Sequence, residues 1–443
     1  MKIQAVRGFK DWLPEDFVKY EYLIELAKDI LKTYNYKEIK IPILEKTELF
    51  VRSIGEFTDI VQKETYTFQD RNKDFLTLRP EATAGICRMI IEKGLFVNPK
   101  PLKFFTVGPM FRHERPQKGR LREFFQIDVE LFTELNPFLE AEIIFLALEI
   151  LKAPFSFKNS NSEIYTLELN SLGCPKCRPK YKEELLKFLE KNKENLCETC
   201  KSRLKRNPLR ILDCKIETCK KIVAKSPIIT EYLCEDCKNH FKNLKEIFDF
   251  MKIKYIENPR LVRGLDYYVR TIFEIKAKGL GAQDTVAAGG RYDYLLEELG
   301  GQHLPAIGFA IGLERWAISI FGDEENKGIL DLDNIDNILD RLNPDIFIVL
   351  LGKKFLIKGF QLAALLRKED LRCEVTYEEK SLKSQLKNAD KLSAKYSLIL
   401  GEEEWEKGSV ILKNMRKGVQ ENIDFKNLED LAKKISKKVK NET

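Results

Sequence analysis

Two spacings of apolar residues run through this chain, and they predict where helices and strands fall. Phe17, Leu23, Leu26, Ile30 and Leu31 recur at helical intervals behind Pro14-Glu15-Asp16, so residues 17–34 read as a long amphipathic helix. Phe104 to Phe111 is rich in aromatic and β-branched residues, and Phe124 to Leu131 alternates apolar with polar, which predicts two strands joined by a turn around Gly119. Strand side chains point alternately to opposite faces, so Phe125, Ile127, Val129 and Leu131 share a core face while Gln126, Asp128 and Glu130 share a polar wall. KEIKIPILEKTELF predicts a strand with Pro42 inside it, as at an edge or interface. Residues 76–95 predict a strand, a break at Arg79-Pro80 and a helix whose first turn holds Glu81 and Thr83. Residues 261–275 predict a strand, a turn at Gly264 and a second strand, and residues 305–321 a Gly-spaced strand-to-helix junction. Tyr292, Leu295, Leu296 and Leu299 form a helix face that ends at Gly300-Gly301. Past residue 345, IFIVLLG, LRCEVTY, YSLILG and SVILKNM alternate with helical stretches near Leu356–Arg367 and Ser381–Leu392, the pattern of a compact α/β domain. The Lys-rich tail KKISKKVKNET reads as a solvated helix end.

Composition narrows the class. At 443 residues with 44% hydrophobic content the chain holds more than one domain and enough apolar surface for real cores. Charged residues make up 33% with a net charge of +7, which permits a polyanionic partner without demanding one. No apolar run approaches a membrane span and MKIQAVRGFKDWLPED lacks a signal-peptide core, so a cytoplasmic protein without membrane contact is expected. Cys174-x-x-Cys177, Cys197-x-x-Cys200, Cys214-x4-Cys219 and Cys234-x-x-Cys237 lie among Lys-rich helical segments. Such pairs could furnish one or two tetrahedral thiolate sites for structural Zn²⁺; buried free thiols and disulfides are the alternatives, and spacing alone leaves the pairing open. Asp323 to Asn343 is acidic and broken by Gly328, as suits a linker.

The candidate chemistry lies around the predicted hairpin. Arg112, Glu114, Arg115, Lys118, Arg120 and Arg122 crowd its loop, and the ordinary reading is a solvated face with a basic tip. The mixture argues for more. Guanidiniums beside carboxylates, an amide and aromatics suit a small zwitterion next to a polyphosphate, because Arg grips phosphate through a planar fork of donors. Elsewhere the ordinary readings suffice taken singly: Glu81 and Thr83 as helix-start residues, Arg263 with Tyr267 and Tyr268 as a strand edge, Arg315 as a solvated helix residue.

Taken together, these segments resemble a known family. FRHERPQKGRLREFFQ resembles motif 2 of the class II aminoacyl-tRNA synthetases in the form found in histidyl-tRNA synthetases, and IGFAIGLER resembles motif 3. LTLRPEATAG, RGLDYY and AAGGRYDY resemble the histidine-specific segments of that family, with Ala82 and Tyr294 where it often has Gly. The resemblance implies an α+β catalytic domain on a mixed, mainly antiparallel sheet with flanking helices, over residues 1–168 and 241–325. It also implies a helical Cys-rich insertion at 169–240, a linker at 326–344 and an anticodon-binding α/β domain at 345–443. The implied reaction is ligation of L-histidine to tRNA(His) by ATP with Mg²⁺, through a histidyl-adenylate, in a homodimer whose interface includes the Pro42 segment. Arg263 and Arg112 would serve catalysis. Glu81, Ala82, Thr83, Arg112, Gln126, Glu130, Arg263, Tyr267, Tyr268 and Tyr292 would hold histidine, with Glu81 and Thr83 on its amino group and Gln126, Glu130 and Tyr268 on its imidazole. Arg112, Glu114, Arg120 and Arg315 would hold ATP. Two other classes fit parts of the pattern: a non-charging paralogue that regulates histidine biosynthesis, and a non-catalytic module that binds RNA or histidine. The first would lack the terminal α/β domain and the full arginine set; neither would exchange pyrophosphate with ATP.

Overall fold

The computed structural model describes residues 3–56, 58–155, 164–278, 280, 284–323, 328, 330 and 332–442. Two compact units emerge, Met1–Leu332 and Asp333–Thr443. In the first, helix α1 (Pro14–Thr33) opens with proline at a position whose N–H has no partner anyway, and buries Leu23, Ala27 and Leu31 on one face. The single strand expected across Pro42 is instead two short ones in different sheets, β1 (Lys37–Glu38) and β2 (Leu44–Lys46). Proline has no N–H for a ladder, and the chain leaves the large sheet there. Helix α2 (Thr47–Ile54), β3 (Tyr66–Gln69) and β4 (Phe75–Leu78) follow, and β2, β4 and β3 make a small antiparallel sheet.

Next come α3 (Thr83–Glu92) and the hairpin of β5 (Leu102–Phe111) and β6 (Glu123–Phe132), with Phe104 opposite Glu130 and Gly108 opposite Gln126. Asn136 caps α4 (Pro137–Lys152) by accepting the Phe138 N–H at 2.8 Å. After β7 (Tyr165–Ser171) come four insertion helices, α5 (Arg178–Lys191), α6 (Glu198–Arg206), α7 (Glu217–Val223) and α8 (Glu235–Phe250). The insertion starts later than the residue 169 expected, because Leu169 to Ser171 finish a strand of the sheet; past residue 240, α8 runs on to place Phe241, Leu244 and Phe248 in the core of the main sheet. The unit continues with β8 (Ile256–Glu257), β9 (Val269–Ala277), β10 (Thr285–Arg291), α9 (Leu295–Glu298), β11 (Ala306–Gly312) and α10 (Leu313–Phe321). No strand forms ahead of Gly264: residues 258–268 are irregular, with the Asn258 side chain accepting the Arg260 N–H at 3.0 Å.

Eight strands form the main sheet in the order β1-β5-β6-β11-β10-β9-β7-β8, antiparallel except for parallel pairs at its two edges. One face carries α1, α4, α8 and α10, and there Ile127, Val129 and Leu131 pack with Leu146, Ile150, Phe273, Phe309 and Trp316. Each such side chain contributes about 2 kcal/mol when fully buried, enough to fix the register of β6. The other face is covered at one end by α3, α9 and the insertion, where Leu102, Met110, Phe132 and Ile272 pack with Ile86, Ile90 and Leu295, and it lines a cleft at the other.

In the second unit, helix α11 (Leu332–Leu339) occupies part of the expected linker, whose residues 326, 327, 329 and 331 lie outside the described residues. The rest is β12 (Ile346–Leu350), α12 (Phe355–Lys368), β13 (Cys373–Val375), α13 (Leu382–Lys391), β14 (Tyr396–Leu400), α14 (Glu402–Glu406), β15 (Ser409–Asn414), β16 (Gln420–Asp424) and α15 (Leu428–Glu442). Strand order is β13-β12-β14-β15-β16, the first three parallel and the remainder antiparallel. The Lys-rich tail is not merely solvated: Leu431, Ala432, Ile435 and Val439 bury one face of α15 against Ile346, Ile348 and Leu362. Among the described residues no helix is long and apolar enough to cross a membrane.

Candidate active site

Part of the second face of the main sheet is floored with very small side chains. Along the ladder Glu130 of β6 sits opposite Gly308 of β11, Asp128 opposite Ala310, and Gln126 opposite Gly312. Ala310 in turn faces Ala288 of β10, which faces Glu274 of β9. A flat shelf results, rimmed by polar groups. The smallness is required, since a Cβ on Gly308 would strike the Glu130 carboxylate.

One end of this shelf is closed. Glu130 is buried and accepts hydrogen bonds from the Thr83 hydroxyl at 2.5 Å and from the Tyr292 hydroxyl. Glu81 accepts the N–H groups of Thr83 at 2.8 Å and Ala84 at 2.9 Å, where the helix dipole of α3 favours an anion, and the Tyr267 hydroxyl reaches it at 3.5 Å. The Tyr267 ring lies 4.7 Å from that of Tyr268 and 5.6 Å from that of Tyr292. Burial pushes the carboxyls of Asp128 and Glu130 up to about 8. It raises Glu81 as well, against the opposing pull of the N–H groups of Ala84 and Thr83. Two acceptors on this wall, Asp128 Oδ2 and Gln126 Oε1, are buried with no hydrogen-bond partner among the described residues. Unmet acceptors of this kind are costly, and they suit a ligand rich in N–H donors.

At the other end guanidiniums converge. Arg112 donates from Nε to the Pro80 carbonyl at 2.9 Å and lies 5.3 Å over the Phe124 ring. Arg120 pairs with Glu114. Arg263 pairs with Oε1 of Glu274, whose Oε2 accepts the Thr285 hydroxyl at 3.0 Å, while Nε of Arg263 is buried without a partner among the described residues. Arg315, in the first turn of α10, donates to the Gly119 and Thr285 carbonyls at 3.1 and 3.0 Å. Burial, then Arg120, Arg112 and Arg263, push the Arg315 guanidinium down to about 10. Arg112 is lowered too, mainly by burial with Arg263 adding, and Glu64 and Glu81 oppose the shift. All of them line one cleft of about 490 Å³, together with Gln126, Ala288, Ala310 and Gly312. A polyanion bound there would relieve the repulsion.

Of the residues marked in the sequence, Glu81, Thr83, Glu130, Tyr267, Tyr268 and Tyr292 gather at the closed end, while Arg112, Glu114, Arg120, Gln126, Arg263 and Arg315 surround the cleft. Ala82 offers only its backbone, because its methyl is buried in the core with Ile86 and Met110. Sequence reasoning passes over three contributors. Asp128 shares strand parity with Gln126 and Glu130, Phe124 borders the arginine-rich loop, and Glu274 stands alone among apolar neighbours in TIFEI, so each had a local signal. The paired cysteines resolve into two groups of four, Cys174, Cys177, Cys234 and Cys237, and Cys197, Cys200, Cys214 and Cys219, and none is in a disulfide.

Comparison with known proteins agrees with this geometry. A family model described as histidyl-tRNA synthetase matches residues 8–316, and one described as an anticodon binding domain matches residues 345–435. The histidine–tRNA ligase of Halothermothrix orenii is 45% identical over 435 residues, covering 98% of this chain and 100% of that protein. That of Caldanaerobacter subterraneus is 44% identical over 441 residues, covering 100% of both. The crystal structure of apo Staphylococcus aureus histidyl-tRNA synthetase superposes with a TM-score of 0.78 at 34% identity, covering 98% of this chain and 100% of that one. The chain therefore belongs to the histidyl-tRNA synthetase family.

Proposed function

We propose that the two ends of the shelf divide the work of charging tRNA(His), the closed end selecting histidine and the arginine-lined cleft activating it. The family's reaction is ATP-dependent ligation of L-histidine to the 3′ end of tRNA through histidyl-adenylate. In the first step a carboxylate oxygen of histidine bonds to the α-phosphorus, the bond from that phosphorus to the bridging oxygen breaks, and pyrophosphate leaves. Two anions meet in this step, so fixed cations must stand where charge accumulates. Arg112 and Arg263 flank the α-phosphate and the attacking carboxylate, and Arg315 holds the γ-phosphate. Glu114 and Arg120 hold each other in place at the ATP end. In the second step a terminal ribose hydroxyl attacks the histidyl carbonyl and AMP leaves.

Glu81 and Thr83 hold the substrate ammonium, and Glu130 with Tyr268 reads the imidazole. A site built around buried acceptors rejects analogues that lack the matching donors. Gln126 lies about 13 Å along the strand from Glu130, beside the cleft. Its open acceptor is therefore placed beside the activation cleft rather than the imidazole. Mg²⁺ arrives on the phosphates of ATP, where it neutralises charge.

The observation that carries this reading is the convergence of Arg112, Arg120 and Arg263 on Arg315 above a glycine and alanine floor. A non-charging regulatory paralogue is not favoured: relatives covering essentially the whole chain are histidine–tRNA ligases, and both the anticodon-binding domain and the arginine set are present. Exposed Ile43, Leu44, Phe68 and Phe75 on or beside the small sheet support a homodimer through this surface. Relatives that are histidine–tRNA ligases support the cytoplasm as its compartment. Histidine-dependent exchange of pyrophosphate into ATP by the purified protein tests the activity; its absence would favour a sensor or regulatory subunit.

A further inference from the structure

The insertion from the end of β7 into the first turn of α8 carries eight of the ten cysteines. The sulfurs of Cys174, Cys177, Cys234 and Cys237 all lie within 4.8 Å of one another, and so do those of Cys197, Cys200, Cys214 and Cys219. Cys174 Sγ is 3.7 Å from Cys177 Sγ and 3.9 Å from Cys234 Sγ, and Cys197 Sγ is 3.9 Å from Cys214 Sγ. Four thiolates on one zinc at about 2.3 Å stand about 3.8 Å apart along each tetrahedral edge. A disulfide needs about 2.05 Å, and a four-iron cluster spreads its thiolates further because each binds a different iron. Packing alone does not gather sulfur by fours: Cys87 and Cys373, the other two cysteines, are each buried outside either group.

N–H donors are aimed at several of these sulfurs. Cys177, Cys197 and Cys234 stand at the N-termini of α5, α6 and α8, where the helix dipole stabilises negative charge. The Cys234 N–H donates to Cys177 Sγ at 3.1 Å, the Cys197 N–H to Cys219 Sγ at 3.3 Å, and the Arg270 guanidinium to Cys237 Sγ at 3.4 Å. Gly173 has φ +62° and a Cβ there would come within 2.7 Å of Cys177 Cβ, so the turn admits the first pair only with glycine.

We propose that the insertion binds two Zn²⁺ ions in closed tetrathiolate sites with nested pairing. Cys174, Cys177, Cys234 and Cys237 hold one at the root, and Cys197, Cys200, Cys214 and Cys219 hold the other at the tip. Each ion binds as four thiols give up their protons, and with four protein sulfurs no position stays open for substrate. The root site ties together the two points where the insertion leaves the sheet. The tip site fixes α6 and the segment from Leu212 to Lys215, which walls the arginine-lined cleft. From the end of α6 Arg203 reaches Asp59 at 2.5 Å, and Asn207 donates to Asp266, in the turn before Tyr267, at 2.8 Å. Tyr181, Leu185, Leu189, Leu204 and Ile211 give the insertion a small apolar core, and metal staples add to what a core of that size supplies.

Metal analysis of the full-length protein, purified without chelator from zinc-replete cells, is expected to give two zinc per chain, with X-ray absorption showing sulfur alone at about 2.3 Å. The Cys197→Ser/Cys214→Ser variant is expected to keep one. Should that variant fail to fold, stepwise mercurial titration of the wild-type protein, read with a chromophoric chelator, gives the same count as two zinc released for eight thiols blocked. A stoichiometry of one or less, bound iron, or alkylation revealing disulfides overturns the proposal. The metal count does not depend on the proposed catalysis: two zinc in a protein without pyrophosphate exchange would refute only the latter.

Discussion

At Glu130 the polar face of β6 ends among three tyrosines, with buried carboxyls raised to about 8; at Gln126, further along the same strand, it opens among arginines that drive Arg315 down to about 10. Both ends store electrostatic cost, with opposite sign. The closed end holds acids that resist ionising until a cation arrives, and the open end holds cations that repel until a polyanion arrives. A zwitterion bound between them has one orientation available, ammonium and imidazole toward the acids and carboxylate toward the arginines. On the proposed reading, the same arrangement would select the amino acid and aim its nucleophile.

Removing a charge from the open end should cost most. Arg263→Ala is expected to lower histidine-dependent pyrophosphate exchange by about 10³-fold, the scale for one fixed cation at a developing phosphoryl charge, with the circular-dichroism spectrum unchanged. Near-normal exchange would remove Arg263 from the mechanism. At the closed end, Glu130→Gln preserves size and removes the charge, and the KM for histidine is expected to rise about 100-fold with a smaller change in kcat.

The two ends should also differ in pH response. A carboxyl held near 8 is protonated in the empty site at pH 7. If ionised Glu130 holds histidine, binding expels a proton, so affinity climbs by up to about tenfold per unit from pH 6.5 to about 8 and then flattens. Calorimetry in buffers of different ionisation enthalpy measures that proton, and Glu130→Gln should abolish its release; equal proton release by both proteins would show that another group supplies it. The smallest effect belongs to the tie between insertion and site. Asn207→Ala removes the bond to Asp266 and should raise the histidine KM about 3-fold with zinc content intact, consistent with a loss of about 0.7 kcal/mol for one exposed hydrogen bond.

Much of this was legible locally. The hairpin strands expected at Phe104–Phe111 and Phe124–Leu131 each extend a residue or two further, because period-two alternation is a property of the strand itself. Strand parity put Gln126, Asp128 and Glu130 on one face but could not say that the face is buried; that depends on α3, the turn at Gly264–Tyr268 and Tyr292, which arrive from distant segments. The nested cysteine pairing has the same origin, joining Cys174 to Cys234 across the whole insertion. The tail is a different failure. Leu431, Ile435 and Val439 show helical spacing in the sequence, but the lysines between them obscured it in too short a window.

A structure with histidine and a non-hydrolysable ATP analogue tests the central claim most directly. The account predicts the α-phosphate between Arg112 and Arg263 and the γ-phosphate on Arg315, each at about 2.8 Å, with the imidazole beside Glu130. A nucleotide seated away from these arginines, or an imidazole turned toward them, would contradict it.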